Sequence, residues 1–72
     1  MEVSFRYENS PTEAIMRAID SVREVYGVRK VSLNEKERIA RVEYDASRLK
    51  EPVVAHLLRK AGLAVGEKLF LA

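Results

Sequence analysis

The chain has 72 residues, of which 47% are hydrophobic and 33% charged, a balance typical of a small globular domain rather than a disordered chain. It contains no cysteine, which excludes disulfides and thiolate sites, and its net charge of +2 does not indicate a nucleic-acid-binding surface. No apolar run approaches the roughly 20 residues of a membrane span, and no uncharged segment that would predict a signal peptide follows the start. We therefore expect one domain over residues 1–72, located in the cytoplasm and not inserted in a membrane.

The first part of the chain predicts a strand followed by a helix. Apolar and polar side chains alternate over residues 3–7, the period of a strand with one buried face. Ser10 is the predicted N-cap of the helix, Pro11 its first residue, and Glu13 the residue that closes a capping box. Gly27 is predicted to end the helix. The apolar stripe of this helix comprises Ile15, Ala18, Ile19, Val22, Val25 and Tyr26.

Residues 27–45 predict two further strands joined by a hairpin. Residues 34–37 contain no core-forming side chain and are predicted to connect the two strands. On either side of this connection, apolar residues recur with a period of two, at Val31, Leu33, Ala40, Val42 and Tyr44. This pattern indicates a pair of strands that share one buried face.

The last part of the chain predicts a second helix and a closing strand. Pro52 is expected in the first turn of the helix, Lys60 in its last turn, and Gly62 just beyond its end. The predicted buried stripe of this helix comprises Val54, Leu57, Leu58 and Ala61, with Val53 beside it. Residues 65–71 are predicted to form the last strand.

The six elements follow the order β-α-β-β-α-β, and each has one apolar face. Two helices packed on one face of a four-stranded antiparallel sheet bury all of these faces at once, which is the α+β, ferredoxin-like arrangement. RNA-binding domains of this topology stack bases on aromatic side chains of the open sheet face. The outward residues of the first and third strands include no aromatic: Ser4, Arg6, Ile39, Arg41 and Glu43. Nucleic acid is therefore not predicted as a partner, because Phe5, Tyr7 and Tyr44 are in the core register.

Three segments resemble the heavy-metal-associated domain family. Residues 27–34, Gly-Val-Arg-Lys-Val-Ser-Leu-Asn, and residues 40–45, Ala-Arg-Val-Glu-Tyr-Asp, are similar to its second and third strands. Leu57 followed by Ala61-Gly62 is similar to the end of its second helix. The resemblance implies the ferredoxin-like fold and a setting in metal traffic, such as a domain of a copper-transporting P-type ATPase or a partner of a copper chaperone.

In that family, the loop between the first strand and the first helix carries the motif Met-Thr-Cys-x-x-Cys, whose two thiolates bind a soft metal ion. By the family's spacing, the methionine position falls on Asn9 and the cysteine positions fall on Pro11 and Ala14. Soft ions select sulfur ligands, so these residues are not expected to bind one. The resemblance therefore implies a degenerate domain without a metal or cofactor, acting as a protein-interaction or regulatory module.

The resemblance also implies which face would contact a protein partner. Related domains dock through the surface around this loop and the neighbouring helix ends, with complementary charges. The corresponding residues here are Asn9, Ser10, Pro11, Thr12, Glu13, Arg17 and Leu63.

Two alternatives stay open. In the first, other ligands bind a metal ion, with His56, Met16 or Met1 recruited across a homodimer, although a lone histidine is more often a surface residue. In the second, the chain is an oligomer with a purely structural role, formed through the sheet face or through an exposed edge strand. An enzyme is not expected, because Glu8 and Glu13 beside the loop have no nucleophile or orienting partner.

Overall fold

The elements follow the predicted order in the computed structural model, which describes residues 1–69. They are β1 (Glu2–Tyr7), α1 (Glu13–Val22), β2 (Val28–Asn34), β3 (Ile39–Tyr44), α2 (Glu51–Lys60) and β4 (Val65–Lys68). The last strand was predicted over residues 65–71, and positions 70 and 71 of that prediction lie outside the described residues. Within residues 1–69, no helix is long and apolar enough to cross a membrane.

The four strands form one sheet in the order β2-β3-β1-β4, and every neighbouring pair is antiparallel. The register sets Val3 opposite Val42 and Val42 opposite Val31, so apolar side chains of adjacent strands share one face. Both helices cover that face and complete the core. The predicted ferredoxin-like fold is therefore confirmed. The buried core comprises Val3, Phe5, Tyr7, Ile19, Val22, Val31, Ala40, Val42, Tyr44, Val54, Ala55, Leu58, Leu63 and Val65.

The first helix is shorter than predicted at its C-terminal end. It ends at Val22, and the N–H of Val25 then donates to the Val22 carbonyl at 3.1 Å in a tight turn that leads into β2. Tyr26 was predicted on the buried stripe, but it is 71% exposed, and its ring lies beneath the guanidinium of Arg48, 4.3 Å away. Gly27 lies at the end of this turn with a φ of +101°, a conformation that favours glycine.

The second helix matches its predicted position. Pro52 lies in the first turn, where its missing N–H leaves no hydrogen bond unmade, and Gly62 follows the helix with a φ of +111°. Val54 and Leu58 are buried as predicted, whereas Leu57 and Ala61 are only partly buried against the core. Ala55 is buried in addition, and Val53 is 44% exposed. The predicted stripe is therefore confirmed at its centre, and Ala55 widens it.

Candidate functional site

The β1–α1 loop, residues 8–12, lies beside the loop that connects α2 to β4. The side-chain amide of Asn9 bridges the two loops. Its Nδ2 donates to the Gly62 carbonyl at 3.0 Å, and its Oδ1 accepts from the N–H of Ala64 at 2.8 Å. The N–H of Glu8 also donates to the Ala64 carbonyl at 3.2 Å. The β1–α1 loop is therefore joined by hydrogen bonds to a segment more than 50 residues later in the chain.

The β2–β3 hairpin supports the other side of the β1–α1 loop. Arg38 has a φ of 56°, which directs its backbone carbonyl towards β1, where it accepts from the N–H of Tyr7 at 3.0 Å. The guanidinium of the same residue donates through Nη1 to the Glu8 carbonyl at 2.8 Å. One arginine thus connects the hairpin to both the end of β1 and the start of the loop.

The cap of the first helix differs from the predicted one. The N-cap is Thr12, whose Oγ1 accepts from the N–H of Ile15 at 3.2 Å, and the helix begins at Glu13. The prediction of Ser10 as N-cap is therefore wrong, and so are the prediction of Pro11 as the first helical residue and the predicted capping box. Glu13 is the first helical residue, and its carboxylate forms an ion pair with Arg17 at 2.7 Å on the exposed side of the helix. Its negative charge still favours the helix N-terminus.

The positions of the metal-binding motif carry no soft-metal ligand. The side-chain amide of Asn9 is hydrogen-bonded to the backbone of the α2–β4 loop. Pro11 has only a hydrocarbon ring and Ala14 only a methyl group, so neither side chain has a ligand atom for a soft metal ion. Among the side chains that the structure describes, no group of three or more His, Cys, Asp or Glu residues is arranged to hold a metal ion. His56 is exposed on α2, away from the buried stripe, as the sequence predicted.

The predicted interaction face is exposed except at one position. Ser10, Thr12, Glu13 and Arg17 are exposed, and Asn9 and Pro11 are partly exposed. Leu63, by contrast, is only 2% exposed and belongs to the core. After Gly62 reverses the chain, the N–H of Leu63 donates to the Leu58 carbonyl at 3.2 Å and the side chain packs inward. The expectation that Leu63 contacts a partner is therefore corrected.

The open face of the sheet has the composition predicted from the register. Phe5, Tyr7 and Tyr44 are buried beneath the helices, and the outward side of β1 and β3 carries polar and charged residues, with Ile39 partly exposed. Arg41 lies 3.6 Å from the Glu2 carboxylate on this face. The aromatic platform on which single-stranded RNA stacks is thus absent from the outward positions of these two strands.

Comparison with solved structures assigns the fold. CopP from Helicobacter pylori superposes with a TM-score of 0.77 at 22% identity, over 92% of this chain and 100% of CopP. A copper binding domain from HMA7, a P-type ATPase, superposes with a TM-score of 0.74 at 18% identity, over 96% of this chain and 97% of that one. A chain of the Atx1-Cu(I)-Ccc2a complex gives 0.75 at 20% identity, over 96% and 94%. The chain has the fold of the heavy-metal-associated domains.

The resemblance inferred from the strand segments is thereby confirmed at the level of the fold. No protein-family model and no curated protein sequence matches the chain. The heavy-metal-associated fold is thus present over nearly the whole chain, while no cysteine is available at the loop that carries the family's motif.

The hydrogen bonds of Asn9 were not predicted from the sequence. Its partners, Gly62 and Ala64, lie 53 and 55 residues away, and no local pattern signals such a pairing. The position of Arg38 after the predicted hairpin was the one available clue to its role, because a hairpin end commonly requires a left-handed residue.

Proposed function

We propose that this heavy-metal-associated fold serves in metal homeostasis as a protein-interaction or regulatory module that does not bind soft metal ions and does not catalyse a reaction. One observation carries the proposal: the β1–α1 loop has no sulfur ligand, and Asn9 at its start is hydrogen-bonded to Gly62 and Ala64. The β1–α1 loop is thus joined to the neighbouring α2–β4 loop as a structural connection.

Ligand chemistry supports the loss of soft-metal binding. Cu(I) prefers thiolate or thioether ligands, and the motif positions Pro11 and Ala14 supply neither. Asn9 offers an amide that already makes two hydrogen bonds to backbone groups, and recruiting it would break both. The residue at the methionine position is therefore held by the α2–β4 loop.

The polar surface beside the loop is accessible to a protein partner. Glu13 and Arg17 form an exposed ion pair next to Ser10 and Thr12, so the surface presents both charges and hydroxyl groups. Structures with this fold include a copper binding domain of a P-type ATPase and a chain within the Atx1-Cu(I)-Ccc2a complex. We therefore propose a copper chaperone or a P-type ATPase domain as the partner.

A metal competition experiment tests the first half of the proposal. The wild-type chain and the double variant Pro11→Cys/Ala14→Cys are titrated with Cu(I) against a chelator, and retained copper is measured after dialysis. The wild type is expected to retain almost none, and the double variant about one equivalent, because it restores two thiolates at the motif spacing. The single variant Pro11→Cys is the matched control. Stoichiometric copper or zinc in the wild type would overturn the proposal and favour ligation by His56, Met16 or Met1.

A chemical-shift experiment tests the second half. Copper-loaded chaperone is added to labelled protein, and the shifted amides are expected to cluster over residues 9–17. The charge reversal Arg17→Glu should weaken the association, because a rim charge contributes through complementarity. Arg29→Glu, an exposed charge in β2 at the opposite end of the sheet, is the matched control and should leave the affinity unchanged. An unchanged spectrum with both candidate classes of partner would remove the support for this surface.

A further inference from the structure

Val31 presents its carbonyl to the open edge of β2. Met1 and Tyr44 exchange two hydrogen bonds, from the amino terminus to the Tyr44 carbonyl at 3.1 Å and from the Tyr44 N–H to the Met1 carbonyl at 2.9 Å. Backbone groups alternate in direction along an antiparallel strand, so Val42, two residues before Tyr44, also faces β1. Val31 is the residue opposite Val42 on the other side of β3. The N–H and C=O of Val31 therefore point away from β3, towards the open edge of the sheet.

Arg23 covers this carbonyl. Its Nη2 and Nε both donate to the Val31 carbonyl, at 3.0 Å and 3.3 Å. Its Nη1 forms an ion pair with the carboxylate of Asp20, one turn earlier in α1. The guanidinium has a planar array of donors, so the ion pair orients the same group that caps the strand edge. The end of α1 thus supplies a side chain to the edge of the strand that follows it.

The other edge strand is covered in the same way. Val65 of β4 lies opposite Tyr7, whose N–H donates to the Arg38 carbonyl on the β3 side. Val65 therefore directs its carbonyl to the outer edge of β4. Arg59, in the last turn of α2, donates through Nε to this carbonyl at 3.3 Å. An arginine near the C-terminus of each helix, Arg23 just after α1 and Arg59 in the last turn of α2, therefore caps a carbonyl of the strand that follows.

We propose that Arg23 and Arg59 hold the two sheet edges closed to strand addition, and that the β2 edge, freed of Arg23, pairs with a second copy of this chain. An unpaired carbonyl row on an edge strand is a template for another strand. In the part of the chain that the structure describes, β2 has seven residues and β4 has four, so β2 offers the longer edge there. A second copy must displace Arg23 from Val31 in both chains, which is the barrier that keeps the edge shut.

The register of β2 fits a second copy. An antiparallel twofold pairing centred on Val31 brings the outward N–H and C=O of the two valines together as a hydrogen-bonded pair. In that register, Lys30 of one copy faces Ser32 of the other, so no two like charges lie directly opposite. Two copies of β2 can therefore pair with each other once the Arg23 guanidinium no longer covers the edge.

Sedimentation equilibrium over a concentration series tests this proposal. The wild type is expected to stay monomeric up to about 1 mM, whereas Arg23→Ala should dimerise with a Kd at least about tenfold lower than that of the wild type. Arg17→Ala is the matched control for self-association, since it removes an arginine ion pair from the exposed side of the same helix, and it should stay as monomeric as the wild type. In the dimer, the Val31 amide should exchange more slowly with solvent than in the monomer.

A folded Arg23→Ala variant that remains monomeric over the same range would overturn the proposal. An equal dimerisation of Arg17→Ala would also overturn it, because the effect would then follow from charge alone. Arg23→Lys retains the charge and the aliphatic stem but cannot donate two bonds from a planar group. The lysine variant is measured if the alanine variant does not fold. Dimerisation of Arg23→Lys to a degree between those of a monomer and a stable dimer supports the proposal. If Arg23→Lys stays as monomeric as the wild type, the proposal is overturned.

Discussion

Ile15 in α1 lies directly beneath Gly62, so close that a Cβ at position 62 would lie 2.9 Å from Ile15 Cγ1. Gly62 also has a φ of +111°, which side chains rarely adopt. The Gly62 carbonyl also accepts a hydrogen bond from Asn9 Nδ2, so Gly62 is in contact with both the first turn of α1 and the β1–α1 loop.

Substitution of Gly62 by alanine should therefore destabilise the fold. We expect a loss of more than about 1 kcal/mol in the free energy of unfolding, because the variant combines backbone strain with a clash against Ile15. Urea denaturation measures it. Gly66→Ala is the control, since the nearest atom to its added Cβ is the Arg6 carbonyl oxygen at 3.8 Å and we expect a change within about 0.5 kcal/mol. Equal losses in the two variants would contradict the packing described for position 62.

Removal of the Asn9 side chain should release the β1–α1 loop. Asn9→Ala loses one donated and one accepted hydrogen bond, and we expect a destabilisation of about 1–2 kcal/mol. The amide of Ala64 should exchange faster with solvent. Asn9→Asp keeps the acceptor for Ala64 but loses the donor to Gly62, so its loss should reflect the missing donor. Unchanged exchange at Ala64 in Asn9→Ala would show that the bridge does not hold the loop.

The helix cap is tested by paired substitutions in the same loop. Thr12→Ala should cost about 1 kcal/mol, because Oγ1 accepts from the N–H of Ile15, whereas Thr12→Ser should keep most of the stability. Ser10→Ala lies outside the helix and should change the stability by less than about 0.5 kcal/mol. Thermal or urea unfolding distinguishes them. A larger loss at Ser10 than at Thr12 would restore the cap predicted from the sequence.

Two buried tyrosines should make the fold sensitive to alkali. Burial raises the pKa of Tyr7 above its usual value of 10.0, with a smaller contribution from Glu35, and burial likewise raises the pKa of Tyr44, with Glu51 adding to it. The folded state therefore retains phenolic protons that the unfolded chain releases. Stability from these groups is complete below about pH 10 and is lost as the pH rises through their folded pKa values.

Urea denaturation at pH 8 to 11.5 measures this loss. Tyr7→Phe removes one titrating group together with a single 3.5 Å contact from its hydroxyl to the Asn34 carbonyl, so it should remain folded at neutral pH. The free energy of unfolding of Tyr7→Phe should fall less steeply with rising pH than that of the wild type. Between the unfolded and folded pKa values of Tyr7, the two slopes should differ by up to about 1.4 kcal/mol per pH unit. If the free energy of unfolding falls equally with alkaline pH in the wild type and in Tyr7→Phe, a raised pKa at Tyr7 is contradicted.

The strands and most of the core could be predicted because their signal is local. A period of two over residues 3–7 and 39–44 specifies which side chains face inward, and the sheet register follows from that choice. The absence of cysteine at the motif positions was equally visible in the sequence. The end of α1 could not be predicted from the local pattern, because the helix ends where the chain must turn to begin β2 at Val28.

The amino-acid sequence by itself therefore determined the order of the elements, the buried face of each strand and the lack of a thiolate at the loop. Only the tertiary structure decided that Asn9 bridges to Gly62 and Ala64, that Leu63 is buried, and that Arg23 caps Val31 at the edge of the sheet. The physical reason is distance along the chain. A side chain selects a hydrogen-bond partner after folding has brought distant backbone groups together, and neither composition nor periodicity records that choice.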